Sequence, residues 1–76
     1  MSNKLPQISG ERMGRVLMKL GFTLVNQRGS HMKFSRPRGK SKEIIMVYAH
    51  HTIKKGKLSA ILGQLELTVE EFKGLL

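Results

Sequence analysis

The first part of the chain places apolar side chains at the spacing of a helix. They recur at i, i+3, i+4 and i+7, which lines one face of a 3.6-residue period. The four positions are Met13, Val16, Leu17 and Leu20. Ser9 is a favoured N-cap residue, and Gly21 is a favoured residue just beyond a helix end. The pattern therefore predicts a helix over residues 10–20.

The middle of the chain changes to the alternation that is typical of strands. Residues 22–27 are rich in aromatic and branched side chains, which favours a first strand. Gly29-Ser30 fits a type II′ hairpin turn, because that turn needs glycine at its first central position. A second strand over residues 31–36, a basic turn over residues 37–42 and a third strand over residues 43–48 are expected to follow.

The alternation also predicts the register of the second hairpin. The expected pairs are Arg36 with Glu43, Phe34 with Ile45, Met32 with Val47, and His31 with Tyr48. This register sets opposite charges across from each other and collects the apolar side chains on one face, whereas a slip of one residue would mix the faces. The opposite face would hold His31, Lys33 and Tyr48, with His50 just beyond.

The last part of the chain returns to helical spacing. The apolar positions of a second helix are Leu58, Ile61, Leu62 and Leu65. Gly56 is the expected N-cap, and Thr68 to Glu71 matches a capping box for a short last helix. The elements together predict one α+β domain over residues 1–76, with a helix, a three-stranded antiparallel sheet and two more helices, all helices on one face of the sheet.

Composition narrows the class of protein. The 76 residues include no cysteine, which excludes disulfides and thiolate metal sites. No apolar run approaches the roughly 20 residues of a membrane span, and residues 1–9 lack a signal-peptide core. We therefore expect a cytoplasmic protein that does not contact a membrane. A metal site is not expected either, because three histidines without neighbouring cysteines or carboxylates make a poor ligand set.

Charge changes the picture most. The net charge is +9, and twelve of the fourteen basic residues lie between Arg12 and Lys57 with one acid, Glu43. Such a concentration favours a polyanion, and nucleic acid above all, as the partner. The candidate phosphate contacts on helices are Arg12, Arg15, Lys19, Lys54, Lys55 and Lys57. For the stripe on the first helix, an ordinary solvated face is the alternative. For the lysines, the free N–H groups of a helix start would add to the attraction.

The histidines are the candidates for chemistry. Imidazole exchanges protons near neutral pH, and His31 shares a strand face with Lys33 directly after a glycine turn. This combination suits attack of a ribose 2′-hydroxyl on the adjacent phosphate, which needs proton transfer and nearby cations. The alternative is a surface histidine that binds phosphate passively or has no role. Tyr48 is expected to stack on a base, or simply to cover the sheet.

His50 and His51 form a second candidate group. Adjacent side chains on an extended segment point in different directions, so only one of the two can join His31. The predicted register favours His50, which would then act as a helper in proton transfer. The alternatives for this pair are a structural hydrogen bond or a loop position without a role.

These residues resemble the HicA (YcfA-like) toxins of bacterial toxin–antitoxin pairs. The matching segments are Leu20-Gly21-Phe22, Arg28-Gly29-Ser30-His31, His50, Lys54-Lys55-Gly56-Lys57-Leu58 and Ile61-Leu62. The resemblance implies a double-stranded-RNA-binding-like α-β-β-β-α fold and an mRNA interferase that a cognate HicB antitoxin neutralises. It places the catalytic role on His31, and His50 matches a frequent histidine near the end of the third strand. Met32 and Lys57 depart from the family, where histidine and threonine are frequent.

The expected function is therefore a metal-independent mRNA endoribonuclease without a cofactor, masked at its active site by a HicB-like antitoxin. His31 would transfer the proton, with His50 as the possible helper. The expected RNA contacts are Arg12, Arg15, Lys19, Arg28, Lys33, Tyr48, Lys54, Lys55 and Lys57. Two alternatives remain at this point. One is a non-catalytic RNA-binding module of the same fold, and the other is a DNA-binding or partner-binding subunit of a repressor complex.

Overall fold

The structure is a computed structural model that describes residues 5–76, and its elements follow the predicted order. The helices and strands are α1 Gly10–Lys19, β1 Thr23–Arg28, β2 His31–Arg38, β3 Ser41–Tyr48, α2 Lys55–Leu65 and α3 Val69–Gly74. The strands form one antiparallel sheet in the order β1-β2-β3. The α+β layout of one helix, three antiparallel strands and further helices is thus confirmed.

The register of the second hairpin is also confirmed. His31 pairs with Tyr48, and Arg36 pairs with Glu43. The predicted basic turn over residues 37–42 is wrong in length, because pairing continues to the outermost pair, Arg38 and Ser41. Pro37 is tolerated in β2, since it lies beyond the last residue of β2 that pairs with β1.

Both hairpins close with two-residue turns that begin with glycine. Gly29 has a φ of +56° and Gly39 a φ of +61°. Among residues 5–76 only Glu66 combines a side chain with a positive φ, so the second residue of each turn has a negative φ. This is the pattern of a type II′ turn, which keeps the right-handed twist of the strands it joins. The turn predicted at Gly29-Ser30 has this form.

The first helix packs its apolar stripe on one face of the sheet. Met13, Val16 and Leu17 are buried, and Leu20 packs against them at the helix end. A Cβ added at Gly14 would lie 2.8 Å from Cζ of Phe34, so the missing side chain allows close contact between α1 and β2. The predicted caps are present, since the Arg12 N–H donates to Ser9 Oγ and Gly21 has a φ of +96°.

The second helix begins earlier than predicted. Its N-cap is Lys54 rather than Gly56, and the Leu58 N–H closes the first turn on the Lys54 carbonyl. The preceding residue, Ile53, is buried and its N–H donates to the Ile8 carbonyl. Because this bond holds residue 53 in the extended segment, the helix starts directly after it. The four predicted apolar positions of α2 are buried.

The last helix has the predicted capping box. Thr68 Oγ1 accepts from the Glu71 N–H, and the Thr68 N–H donates to the Glu71 carboxylate. Phe72 is completely buried and anchors this short helix to the core. None of the helices within residues 5–76 has the length and the apolar character needed to cross a membrane.

The end of the sheet farthest from His31 contains a closed charge cluster. Glu43 is buried, and its carboxylate accepts from Arg36 Nε at 2.9 Å. Arg36 also donates to the Leu20 carbonyl at 2.9 Å and lies over the Phe22 ring at 4.6 Å. Arg38 completes the cluster at 3.5 Å from the same carboxylate. The one acid of the basic segment therefore ties β2 and β3 to the end of α1.

Candidate active site

The site residues lie on the face of the sheet that the helices leave uncovered. Met32 and Phe34 point into the core, so their neighbours His31 and Lys33 point to the outer face. Side chains that pair across antiparallel strands share a face. The three rows of the outer face are therefore Arg28–His31–Tyr48, Asn26–Lys33–Met46 and Thr23–Ser35–Ile44.

A β-bulge at Val25 decides which residue of β1 joins the row beyond Asn26–Lys33. Leu24 pairs with Phe34, but the next pair is Asn26 with Lys33. Without the bulge, the register set by the Gly29-Ser30 turn would place Leu24 opposite Ser35 on the outer face. The extra residue instead brings Thr23 to that position and sets Leu24 opposite the buried Phe34. Bulges commonly re-aim side chains in this way beside functional sites.

His31 is held by an aromatic stack. Its ring lies 4.7 Å from the ring of Tyr48, with an angle of 18° between the planes. The ring of His51 contacts the Tyr48 ring edge-on, with 5.8 Å between the ring centres and an angle of 78° between the planes. We call His31, Tyr48 and His51 the three-ring cluster. The stack orients the imidazole while leaving it half-buried and open to a ligand on the outer face.

The histidine that joins Tyr48 is His51, not the expected His50. The prediction extended the alternation of β3 beyond Tyr48, but the strand ends there. Ala49 is buried with its N–H donating to the Ser30 carbonyl, and the His51 N–H turns back to the Tyr48 carbonyl. This turn returns the third residue after Tyr48 to the side of Tyr48. Within residues 5–76, His50 is exposed and makes no ring contact of this kind.

The start of α1 fixes the backbone of this turn. The Gly10 N–H donates to the His51 carbonyl and the Glu11 N–H to the Ala49 carbonyl, both at 3.0 Å. A Cβ at Gly10 would lie 1.8 Å from the Tyr48 carbonyl oxygen, so only glycine allows this approach. The first N–H groups of α1 are therefore used for positioning the site and are not free to bind a phosphate.

The predicted cations fall into two layers. Arg28 and Lys33 lie on the outer face with His31, whereas Arg12, Arg15 and Lys19 are exposed on α1, which covers the other face. Lys19 is further engaged, because its Nζ donates to the Leu75 carbonyl at 2.7 Å. The structure thus brings two of these five cations together with His31 and leaves the helix stripe apart.

Two of the three lysines around the start of α2 reach the three-ring cluster. Lys54 and Lys57 line a cavity of about 470 Å³ together with Tyr48 and His51. Lys55 is exposed and does not line it. The first turn of α2 has no side-chain cap and no acidic residue. Its positive end therefore adds to the lysine charges beside the cavity.

The buried carboxylate of Glu43 lies away from the site. Within residues 5–76, no group of three or more histidine and acidic side chains lies close enough to hold a metal ion. Glu43, the acid nearest in sequence to the three-ring cluster, is bonded to Arg36 at the other end of the strands. The outer-face rows place phenol and cationic groups beside the His31 imidazole.

A family model described as HicA toxin of bacterial toxin-antitoxin matches residues 10–67, well over half of the 76-residue chain. The chain belongs to the HicA toxin family. Comparisons with curated proteins and with solved structures gave no match. Members of the HicA family are known for ribonuclease activity, and the family identifies this chain as the toxin of a toxin–antitoxin pair with an antitoxin as its partner.

The matched residues 10–67 of this HicA toxin contain all three residues of the three-ring cluster. Two features of the site were missed by sequence reasoning. The bulge at Val25 has no glycine to mark it, and the turn after Tyr48 contains neither glycine nor proline. The local pattern even favours a longer strand, since Ala49 continues the buried alternation of Ile45 and Val47.

Proposed function

We propose that this HicA-family toxin is a metal-independent mRNA endoribonuclease in which His31 transfers the proton. The observation that carries the proposal is the stacking of His31 on Tyr48 at 4.7 Å, on an outer face that also holds Arg28 and Lys33. A fixed imidazole among uncompensated cations is the arrangement that cleavage of a phosphodiester by its own ribose requires. We place this activity in the cytoplasm, where a bacterial mRNA is found.

In the proposed reaction, the His31 imidazole accepts the proton of a ribose 2′-hydroxyl. The 2′-oxygen attacks the adjacent phosphorus, the bond from phosphorus to the 5′-oxygen breaks, and a proton is delivered to that leaving oxygen. The products are a 2′,3′-cyclic phosphate and a free 5′-hydroxyl. Arg28 and Lys33 stabilise the extra negative charge that develops on the phosphate oxygens. Proton transfer by one positioned side chain typically contributes about 10²–10⁴-fold.

The leaving oxygen needs a second proton donor, for which the geometry favours His51 over His50. His51 contacts the same Tyr48 ring that carries His31. A phosphate bound beside Tyr48 would therefore lie near both imidazoles. The role expected for His50 is accordingly assigned to His51 in this proposal, with His50 as the comparison.

RNA is proposed to follow the outer face toward the start of α2. Lys54 and Lys57 flank Tyr48 there, and they would hold the phosphates of neighbouring nucleotides. Lys55 would contribute through its charge alone. The stripe of Arg12, Arg15 and Lys19 lies in the helix layer, so we assign it only long-range attraction for RNA.

The antitoxin is proposed to mask this same face. β3 is an edge strand, and three apolar side chains stand exposed along its outer side, namely Ile44, Met46 and Tyr48. Their exposures are 37%, 44% and 50%, which suits a protein surface rather than a phosphate backbone. A HicB-like antitoxin that covers this stripe would also cover His31, because Tyr48 belongs to both.

The decisive experiment incubates wild-type and His31→Ala protein with labelled single-stranded RNA in EDTA and identifies the new ends. We expect cyclic or 3′-phosphate ends from the wild type alone. Intact RNA with both proteins, together with measurable binding, would instead make this chain a non-catalytic RNA-binding module. Cleavage by a folded His31→Ala protein would remove His31 from the mechanism.

A further inference from the structure

The cavity beside the three-ring cluster has walls of two different kinds. Its floor is formed by the buried side chains Val47 and Ile53, which come from the end of β3 and from the segment before α2. The exposed side chains of Tyr48 and His51 also line it, together with the exposed Lys54 at the start of α2. The cavity is therefore apolar where it is buried, and it carries positive charge where it opens to solvent.

This combination selects a narrow class of ligand. An apolar floor with an aromatic rim favours a flat ring, because stacking and burial both reward it. Lysines at the mouth, next to the uncapped first turn of α2, favour an anion attached to that ring. A volume of about 470 Å³ lies within the range of small-ligand sites. A nucleobase with its phosphate has all three properties.

The cavity is continuous with the proposed active site. Tyr48 lines the cavity and carries the stack with His31 at a ring distance of 4.7 Å. A nucleotide whose base enters the cavity would therefore lie next to a phosphate held at His31. We propose that the cavity binds one RNA base adjacent to the cleaved phosphodiester and thereby sets a base preference at that position. The identity of the ligand as RNA rests on the proposed function above.

Thr52→Trp is the variant that tests this inference. Thr52 is exposed and lines the cavity, so a large side chain there fills the cavity without entering the core. It does not belong to the three-ring cluster. The matched control is Ser59→Trp, because Ser59 is exposed on α2 and lies outside the cavity lining. Both variants carry the same new side chain.

The first arm measures sequence preference. Wild-type protein, Thr52→Trp and Ser59→Trp each cleave a library of randomised RNA, and the cut positions are sequenced. We expect a base preference next to the cut in the wild type and in Ser59→Trp. We expect Thr52→Trp to reduce it at least about fivefold while still cutting, the lower end of what one base–aromatic stack contributes. An unchanged preference in Thr52→Trp would overturn the inference.

The second arm is independent of cleavage. Methyl signals of Val47 and Ile53 are followed by NMR in His31→Ala protein, with inorganic phosphate, a nucleoside monophosphate and a short RNA added separately. We expect the methyl signals of both residues to shift with the RNA but not with inorganic phosphate. In a double variant that carries Thr52→Trp together with His31→Ala, we expect these shifts to be absent. Shifts with the monophosphate alone would overturn the RNA assignment and indicate a free nucleotide. No shift with any ligand would exclude the base site.

The two arms separate this inference from the proposed function. If wild-type protein cleaves RNA but the methyl signals of His31→Ala protein do not shift with RNA, the proposed function stands and the base site is overturned. If wild-type protein leaves RNA intact but those methyl signals shift with RNA, the proposed function is overturned and the cavity remains a binding site.

Discussion

The two ends of the hairpin formed by β2 and β3 differ in whether their charged side chains form ion pairs. At the turn end, the buried Glu43 carboxylate receives Arg36 and Arg38, and all the ion pairs found among residues 5–76 involve this cluster or its neighbour Glu66. At the other end, Arg28 and Lys33 lie on the outer face with His31 and take part in none of the ion pairs found among residues 5–76. The first end uses charge for stability. The second leaves charge unneutralised, which is expected of a surface that meets phosphate.

The difference also appears in how backbone groups are used. Arg36 caps the Leu20 carbonyl at the end of α1, so the helix terminus is satisfied by a side chain of the sheet. At the His31 end, the start of α1 is satisfied by the Ala49 and His51 carbonyls. The two ends of α1 are thus hydrogen-bonded to the two ends of the hairpin. Only at the His31 end does this contact position exposed imidazole rings.

The largest effect is expected for a substitution of His31 itself, at the His31 end of the hairpin. His31→Ala should lower RNA cleavage by about 10²–10⁴-fold, because one positioned proton-transfer group is lost. The side chain is half-buried in a stack, so the fold should remain. Cleavage rates are measured alongside circular dichroism and the melting temperature. A fully active variant with an unchanged melting temperature would show that the His31 side chain is not needed for cleavage, and the two ends of the hairpin would then not differ in function.

The next effect separates the two neighbouring histidines. His51→Ala should lower cleavage by about 10²-fold, the lower end of the range for a positioned proton-transfer group, whereas His50→Ala should leave the rate near that of wild type. Of these two histidines, His51 is the one whose ring contacts Tyr48. Single-turnover rates on one RNA are the measurement. The reverse order of the two variants would restore His50 as the helper and show that the ring contact of His51 is structural.

At the turn end of the hairpin, a substitution should change the stability of the fold rather than the rate of RNA cleavage. Glu43→Ala removes the buried carboxylate that holds Arg36 and is expected to lower the free energy of unfolding by about 1–3 kcal/mol. Cleavage per folded molecule should stay unchanged. Urea denaturation measures the loss, with exposed Lys42→Ala as the control. If Glu43→Ala abolished cleavage in fully folded protein, the two ends would not be separate in function.

The smallest expected effect concerns the two layers of cations. Lys33→Ala should reduce the slope of log affinity for single-stranded RNA against log salt by about 0.7, the value for one lost phosphate contact. Lys19→Ala should leave the slope unchanged, because Lys19 is bonded to the Leu75 carbonyl in the helix layer. Affinities at several salt concentrations test both. Equal slopes in the two variants would place RNA on the helix stripe as much as on the sheet.

Sequence reasoning was accurate where one local rule acts alone. The periodicity of α1, its Ser9 cap, the Gly29-Ser30 turn and the pairing of Arg36 with Glu43 were all predicted and are observed. It failed where distant contacts choose between local alternatives. The start of α2 moved to Lys55 because Ile53 is bonded to Ile8, forty-five positions earlier by residue number. No local pattern around Gly56 carries that information.

By itself, the sequence determined the strands, the register that puts His31 opposite Tyr48, and the basic segment that calls for a polyanion. These follow from alternation, glycine turns and charge, which act between near neighbours. Only the tertiary structure decided that His51, rather than His50, packs against the Tyr48 ring that carries His31. The reason is that the chain turns after Tyr48, and this turn is held by hydrogen bonds from the start of α1 to the Ala49 and His51 carbonyls.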